Sequence, residues 1–255
     1  MRCVCLLLAV LVLLAGCGRK ETTSPAEVSF QQGVEKLQAK DYTGAEQAFH
    51  AFVKQSPALN AALQRVFQAY VQARAWEPAY QFFVQYEPRA NEIPVKVDRA
   101  DFYRVLGDLA YRIDRKEEAT RWYEIAVNMD KQNHLALNNY AYTLAELGKD
   151  LEKALELVNR AIAIKSTQGS YYDTRAWVYY QMGRYEDALK EIRYAIQIAP
   201  DTAELRYHAA AIYAKAGLID DALVELEKAL ALQPGHEPSR KLRQELLKQR
   251  QKSQR

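Results

Sequence analysis

The sequence predicts an all-α fold built from a repeated unit, on three observations. Its composition is rich in Ala, Leu, Glu, Lys and Tyr, with only 10 Gly and 8 Pro in 255 residues and no alternating β-branched runs, a balance that favours helix. Gly183 and Gly217, Ala188 and Ala222, Ala195 and Ala229, and Pro200 and Pro234 are pairs each 34 residues apart, so one supersecondary unit is repeated. Within a period the apolar residues recur at helical spacing.

From the N-terminus, Met1-Arg2 supplies a positive start and Val4 to Ala15 is an unbroken apolar run ending in small residues, the layout of a secretory signal. The run is shorter than the roughly 20 residues that a spanning helix needs. Leu14-Ala15-Gly16-Cys17 stands at its end and resembles the lipobox of bacterial lipoproteins, in which a diacylglyceryl group is added to the cysteine and cleavage makes that residue the new N-terminus. The resemblance implies a signal peptide over 1–16, lipidation with palmitate-type chains at Cys17, and a polar lipidated tether over 17–25. Cys3 and Cys5 leave with the signal, which excludes a disulfide framework and a cysteine metal site. Gly18 follows the cysteine, where Gram-negative lipoproteins retained in the inner membrane usually carry Asp. The expectation is therefore the periplasmic face of the outer membrane.

Ala176 to Pro200 reads AWVYYQMGRYEDALKEIRYAIQIAP, with small, Tyr, Gly, Tyr, Ala, Ala and Pro at the spacings of a tetratricopeptide repeat (TPR), which this stretch resembles. The resemblance implies a right-handed superhelical solenoid of about six helix-turn-helix units, at 26–59, 60–93, 100–133, 134–168, 169–202 and 203–236. Residues 26–93 form two N-terminal units, 94–99 a break or hinge around Pro94, 100–236 four further units, and 237–255 a basic C-terminal capping helix with Leu242, Leu246 and Leu247 on one side. Ala45, Ala79, Ala119, Ala154, Ala188 and Ala222 fall where the two helices of a unit cross, with Gly33, Gly107, Ala141, Ala176 and Ala210 facing them. Small side chains there allow close interaxial approach. Phe67 and Tyr86 depart from the small-residue pattern, so the second unit must pack differently.

No catalytic constellation emerges. His50, His134, His208 and His236 fall in different units without metal-ligand pairing, and phosphate loops, G-x-S-x-G and H-E-x-x-H are missing. Neither an enzyme, a cofactor nor a metal is expected. A formal net charge of +3, from 35 basic and 32 acidic residues, gives no nucleic-acid footprint. In TPR proteins the stripe opposite the packed face of each first helix lines the concave groove. Here it carries Asp101, Arg104, Asp108, Tyr111 and Arg112, then Asn138, Tyr142 and Glu146, then Asp173, Trp177, Tyr180 and Gln181, then Tyr207 with neighbouring His208. Aromatic and polar side chains of this kind suit protein recognition, though the same aromatics could instead fill the contacts between adjacent units. The family's Lys/Asn clamp for C-terminal carboxylates is not reproduced. The resemblance implies a scaffold binding envelope proteins. A pilotin-like escort of a secretin or pilus component and an envelope carbohydrate-binding or enzyme-accessory module are the alternatives.

Overall fold

The computed structural model describes residues 24–199 and 201–253. Cys17 and the tether up to Thr23 lie outside the described residues. The chain forms α1 (Pro25–Gln38), α2 (Tyr42–Gln55), α3 (Leu59–Ala73), α4 (Trp76–Val84), a 3₁₀ helix (Glu87–Glu92), α5 (Lys96–Arg112), α6 (Lys116–Met129), α7 (His134–Leu147), α8 (Leu151–Ile164), α9 (Gly169–Gln181), α10 (Tyr185–Ile198), α11 (Ala203–Lys215), α12 (Ile219–Leu232) and α13 (Glu237–Ser253). Helices pair as hairpins from α1–α2 to α11–α12, and α13 packs on α11 and α12.

Each hairpin ends its first helix on a left-handed residue: Lys40, Arg74, Asp114, Gly148, Gly183 and Gly217. At each the same two bonds close the first helix, as in Lys40 N–H to Leu37 C=O (3.0 Å) with Asp41 N–H to Lys36 C=O (2.9 Å), and Gly217 N–H to Ala214 C=O (3.1 Å) with Leu218 N–H to Tyr213 C=O (2.9 Å). This is a Schellman stop, which satisfies carbonyls the helix end would leave orphaned. Glycine takes the conformation freely; Lys40, Arg74 and Asp114 carry the steric cost of a Cβ, on the order of 1 kcal/mol. The positions of these turns count out the architecture. From Lys40 to Arg74 the step is 34 residues, from Arg74 to Asp114 it is 40, then 34, 35 and 34. The long step holds the 3₁₀ helix. The 35-residue step begins at the fourth turn, where Asp150 is also left-handed.

Proline and a short helix explain the long step. Helix α4 has only nine residues, and Pro88 at the start of the 3₁₀ helix supplies no amide to continue it. Helix α5 then starts at Lys96, with Asp98 in its first turn. The interruption thus runs from the end of α4 to Val95, and Lys96 to Arg99, expected in a break over 94–99, are helical.

The small residues sit at the crossings. Ala45, Ala79, Ala119, Ala154, Ala188 and Ala222 are fully buried, as are Ala141, Ala176 and Ala210. At Gly107 the partner is an aromatic ring: an added Cβ would stand 2.5 Å from Tyr123 Cε1. First helices of successive units adjoin, α1 with α3, α3 with α5, α5 with α7, α7 with α9, α9 with α11 and α11 with α13. They form a continuous inner layer. Glu117-Glu118 and Asp220-Asp221 occupy the first turns of α6 and α12, where carboxylates complement the helix dipole.

Candidate functional site: an inner-layer trough and an aromatic wall

Two cavities lie along α5, between α3 and α7. The larger, about 630 Å³, is lined by Leu63, Gln64, Phe67 and Gln68 of α3, by Val97, Asp98, Asp101, Phe102 and Arg104 of α5, and by Asn133, His134 and Leu135 at the start of α7. The second, about 420 Å³, continues past Phe67 to Trp76, Asp108, Tyr111, Arg112, Asn138, Asn139 and Tyr142. Arg104 and Asp108, one helical turn apart, join them by a salt bridge. Asp108 also accepts from Tyr123 Oη (2.8 Å) and from Asn139 Nδ2 (2.8 Å), while Arg104 Nε donates to Asp101 (2.6 Å). Burial pushes the Asp108 carboxyl above its ordinary range, with Arg104, Tyr123 and Asn139 opposing. Arg112 stacks its guanidinium 4.5 Å from the Trp76 ring centre, so its charge is held against an aromatic face.

Farther along the inner layer the corresponding positions are closed. The Trp177 ring lies between Tyr180 (4.7 Å between ring centres, 6° between planes) and His208 (4.2 Å, 22°), and its Nε1 donates to Glu146 at 2.8 Å. His208 is fully buried, with Nδ1 2.9 Å from Asp173 and Nε2 3.3 Å from Glu204. Burial alone would push this imidazole down, but the carboxylates of Asp173 and Glu204 raise it to about 10. It is an imidazolium at neutral pH. Glu204, half-exposed, also accepts from Tyr142 Oη (3.2 Å) and meets His236 Nε2 at 3.0 Å. Burial raises its carboxyl, yet the bonds and charges of His208 and His236 bring it to about 2. The network ties α7, α9, α11 and the start of α13. Beyond it a cavity of about 750 Å³ is lined by Tyr180, Tyr207, Lys215, Lys241, Leu242 and Glu245.

The inner-layer stripe read from the sequence therefore divides. Arg104, Asp108, Tyr111, Arg112, Asn138 and Tyr142 come together along the trough. Tyr180 and Tyr207 line the terminal cavity. Trp177 is 5% exposed and His208 is 0%. Stacking and ion pairing with neighbouring units engage both side chains. Asp173 is committed to His208, and Gln181, half-buried, lines none of the three cavities. Sequence reasoning missed Gln64, Gln68, Val97, Asp98 and Leu135. The signal was Phe67: where other units have a small residue its ring stands half-buried against Phe83 (5.8 Å between centres) and borders both trough cavities. The histidines are partnered: His50 Nδ1 meets Tyr86 Oη at 2.7 Å, His134 Nδ1 meets Tyr171 Oη at 2.5 Å and His236 Nδ1 meets Ser239 Oγ at 2.7 Å. Among the described residues no three His, Cys, Asp or Glu side chains are placed to hold a metal ion, and no helix is long and apolar enough to cross a membrane.

Repeated hairpins with an open inner layer define a helical-repeat solenoid, a fold that works by holding other proteins. The particular repeat is the tetratricopeptide repeat: residues 105–169 and 179–246 match its models, and the chain carries these repeats. TPR repeat-containing protein PA4667 of Pseudomonas aeruginosa is 26% identical over 134 residues, covering 51% of this chain and 20% of that protein. Protein STIP1 homolog of Dictyostelium discoideum is 27% identical over 107 residues, covering 42% of this chain and 19% of that one. The chain thus spans about a fifth of the length of these curated relatives. Among solved structures, the APC/C hetero-tetramer Cut9-Hcn1 superposes with a TM-score of 0.64 at 14% identity, over 87% of this chain and 42% of that one. MamA gives 0.52 at 20% identity, over 68% and 90%. At these identities the likeness is one of fold.

Proposed function

We propose that this chain is a lipid-anchored scaffold of the bacterial cell envelope, attached through Cys17 to the periplasmic face of the outer membrane, that holds envelope proteins in its inner-layer trough and so assists assembly of a larger complex. One observation carries the binding half: across α3, α5 and α7 the inner layer leaves an apolar floor open between lips that mix carboxylates with exposed Val97 and Leu135, although the same chain fills the space around Trp177 of α9 and His208 of α11 with its own side chains. The anchoring half rests on Leu14-Ala15-Gly16-Cys17 after an apolar run. Two acyl chains suffice for stable anchoring, at about 0.8 kcal/mol per buried methylene.

The test is affinity capture from native envelope with mass spectrometry, wild type beside a variant whose trough is filled by Gln68→Trp and Leu135→Trp, both exposed lining residues. Partners that co-purify with wild type and are lost from the variant support the reading. The same partners in both would move binding to another face and overturn it. In parallel, Cys17→Ser is expected to leave the membrane fraction or to accumulate unprocessed; a variant that fractionates as wild type does would end the lipoprotein reading.

A further inference from the structure

The trough does not treat all ligands alike, because its two surfaces differ in chemistry. Its floor is apolar, with Leu63, Phe83, Ile93 and Phe102 buried beneath half-buried Phe67. Its lips carry exposed apolar side chains, Val97 (56%) on α5 and Leu135 (44%) on α7. Between and beside them stand the carboxylates of Asp98, Asp101 and Asp130. Among the described residues Arg104 is the one Lys or Arg lining this cavity, and it is spent: its side chain is 15% exposed and shared between Asp101 and Asp108. Asp98 has only the neutral amide of Asn60 (2.8 Å), and Asp130 caps the amide of Gln132 in its own loop (2.9 Å). Among the described residues neither carboxylate forms an ion pair, so the cavity lining itself holds three carboxylates against one guanidinium. Farther in, Asn138 Nδ2 donates to Asn139 Oδ1 at 3.3 Å, and Asn138 Oδ1 is buried without a donor among the described residues.

Resting on the reading of the inner layer as the binding face, we infer that the trough takes an extended segment of a partner protein in which Leu- or Phe-type residues alternate with Lys or Arg. In an extended chain successive side chains point to opposite sides. One set meets the floor while the other reaches the carboxylates at the lips. Length agrees with a short segment. From Val97 to Arg112 helix α5 advances about 22 Å at its usual rise, which an extended chain covers in roughly seven residues.

The experiment uses purified mature protein in detergent and three fluorescein-labelled heptapeptides, read by fluorescence anisotropy at low and high salt. One alternates Lys with Leu and Phe, the second has Glu for Lys, and the third has Ser for Leu and Phe. The first is expected to bind, the other two to bind at least about tenfold more weakly, and added salt to weaken the first, since exposed charges are screened. Asp98→Asn with Asp101→Asn is expected to weaken it about fivefold, whereas Glu152→Gln with Glu186→Gln, equal in charge lost and placed on α8 and α10, leaves it unchanged. Equal binding of the Glu or Ser peptide, or no effect of the Asp pair, overturns the assignment. Self-association that the Asp98/Asp101 variant abolishes would give the seat to the basic α13 of a second copy and overturn it equally. If no peptide binds while the Trp-filled variant still loses its captured partners, the ligand chemistry fails and the binding face stands.

Discussion

Units three and five of this solenoid have the same hairpin and the same inner-layer positions, yet one is open and the other closed. In the third, Asp101, Arg104 and Asp108 satisfy one another along a single helix with help from Tyr123 and Asn139, and the space above them stays free. In the fifth, Asp173 and Trp177 reach across to His208 and Glu146 of neighbouring units, and the space is filled. The difference lies in what crosses the unit boundary: in the third unit a single hydrogen bond from the Asn139 amide reaches Asp108 and leaves the space free, whereas in the fifth a ring stack completed by His208 fills it.

The comparison is broken most directly by Trp177→Ala. A buried indole with two ring neighbours and a hydrogen bond to Glu146 is removed, and a loss of about 3–5 kcal/mol in denaturant unfolding is expected. A ligand-facing tryptophan would leave stability nearly unchanged. Next comes the pH profile. The folded-state pKa of His208 is raised to about 10, so its contribution is complete below the unfolded value near 6.5 and is lost as pH rises through 10. Stability is expected to fall across that window by on the order of 5 kcal/mol, and His208→Gln, already less stable at neutral pH, should flatten the decline. Glu204 works in the opposite sense: held at about 2, it contributes above roughly pH 4.5 and loses that contribution as pH falls through 2. Gly107→Ala must displace the Tyr123 ring. Overpacking of about 1–3 kcal/mol, offset by about 1 kcal/mol of helix propensity, leaves a net loss of about 0–2 kcal/mol. Smallest is Asp101→Asn at the open trough, where a half-exposed carboxylate with one ionic partner should change stability by less than about 0.5 kcal/mol. That variant sharpens the comparison, since its effect should show in binding and hardly in unfolding.

The repeat itself was legible. Gly183 and Gly217 are the left-handed stops of their hairpins, and the alanines that set the register lie at fully buried crossings. Turns at Lys40, Arg74 and Asp114 were not, because no side-chain preference announces a left-handed lysine or arginine; the Schellman bonds around them are imposed by the helices on either side. The true limits of the interruption escaped for a related reason. Pro94 marked it, but Pro88 and the shortness of α4 decide where it starts. At the site, periodicity placed Arg104, Asp108, Tyr111 and Asn138 on the inner layer, and it could not separate Tyr180 from Trp177. What separates them is a stack completed by His208, 31 residues on. Phe67 looked like a defect in the second unit, and its bulk at that position borders the trough.

Gly107 has a consequence beyond its crossing. Because it lacks a Cβ, Tyr123 of the outer helix α6 lies across it and delivers its hydroxyl to Asp108 on the inner face. The third hairpin is thereby porous in an evolutionary sense: a substitution on its outer helix can retune the chemistry offered to a ligand that never touches that helix. Selection acting on the two sides of this unit cannot proceed independently, whereas hairpins that cross through paired alanines leave their two sides free to diverge.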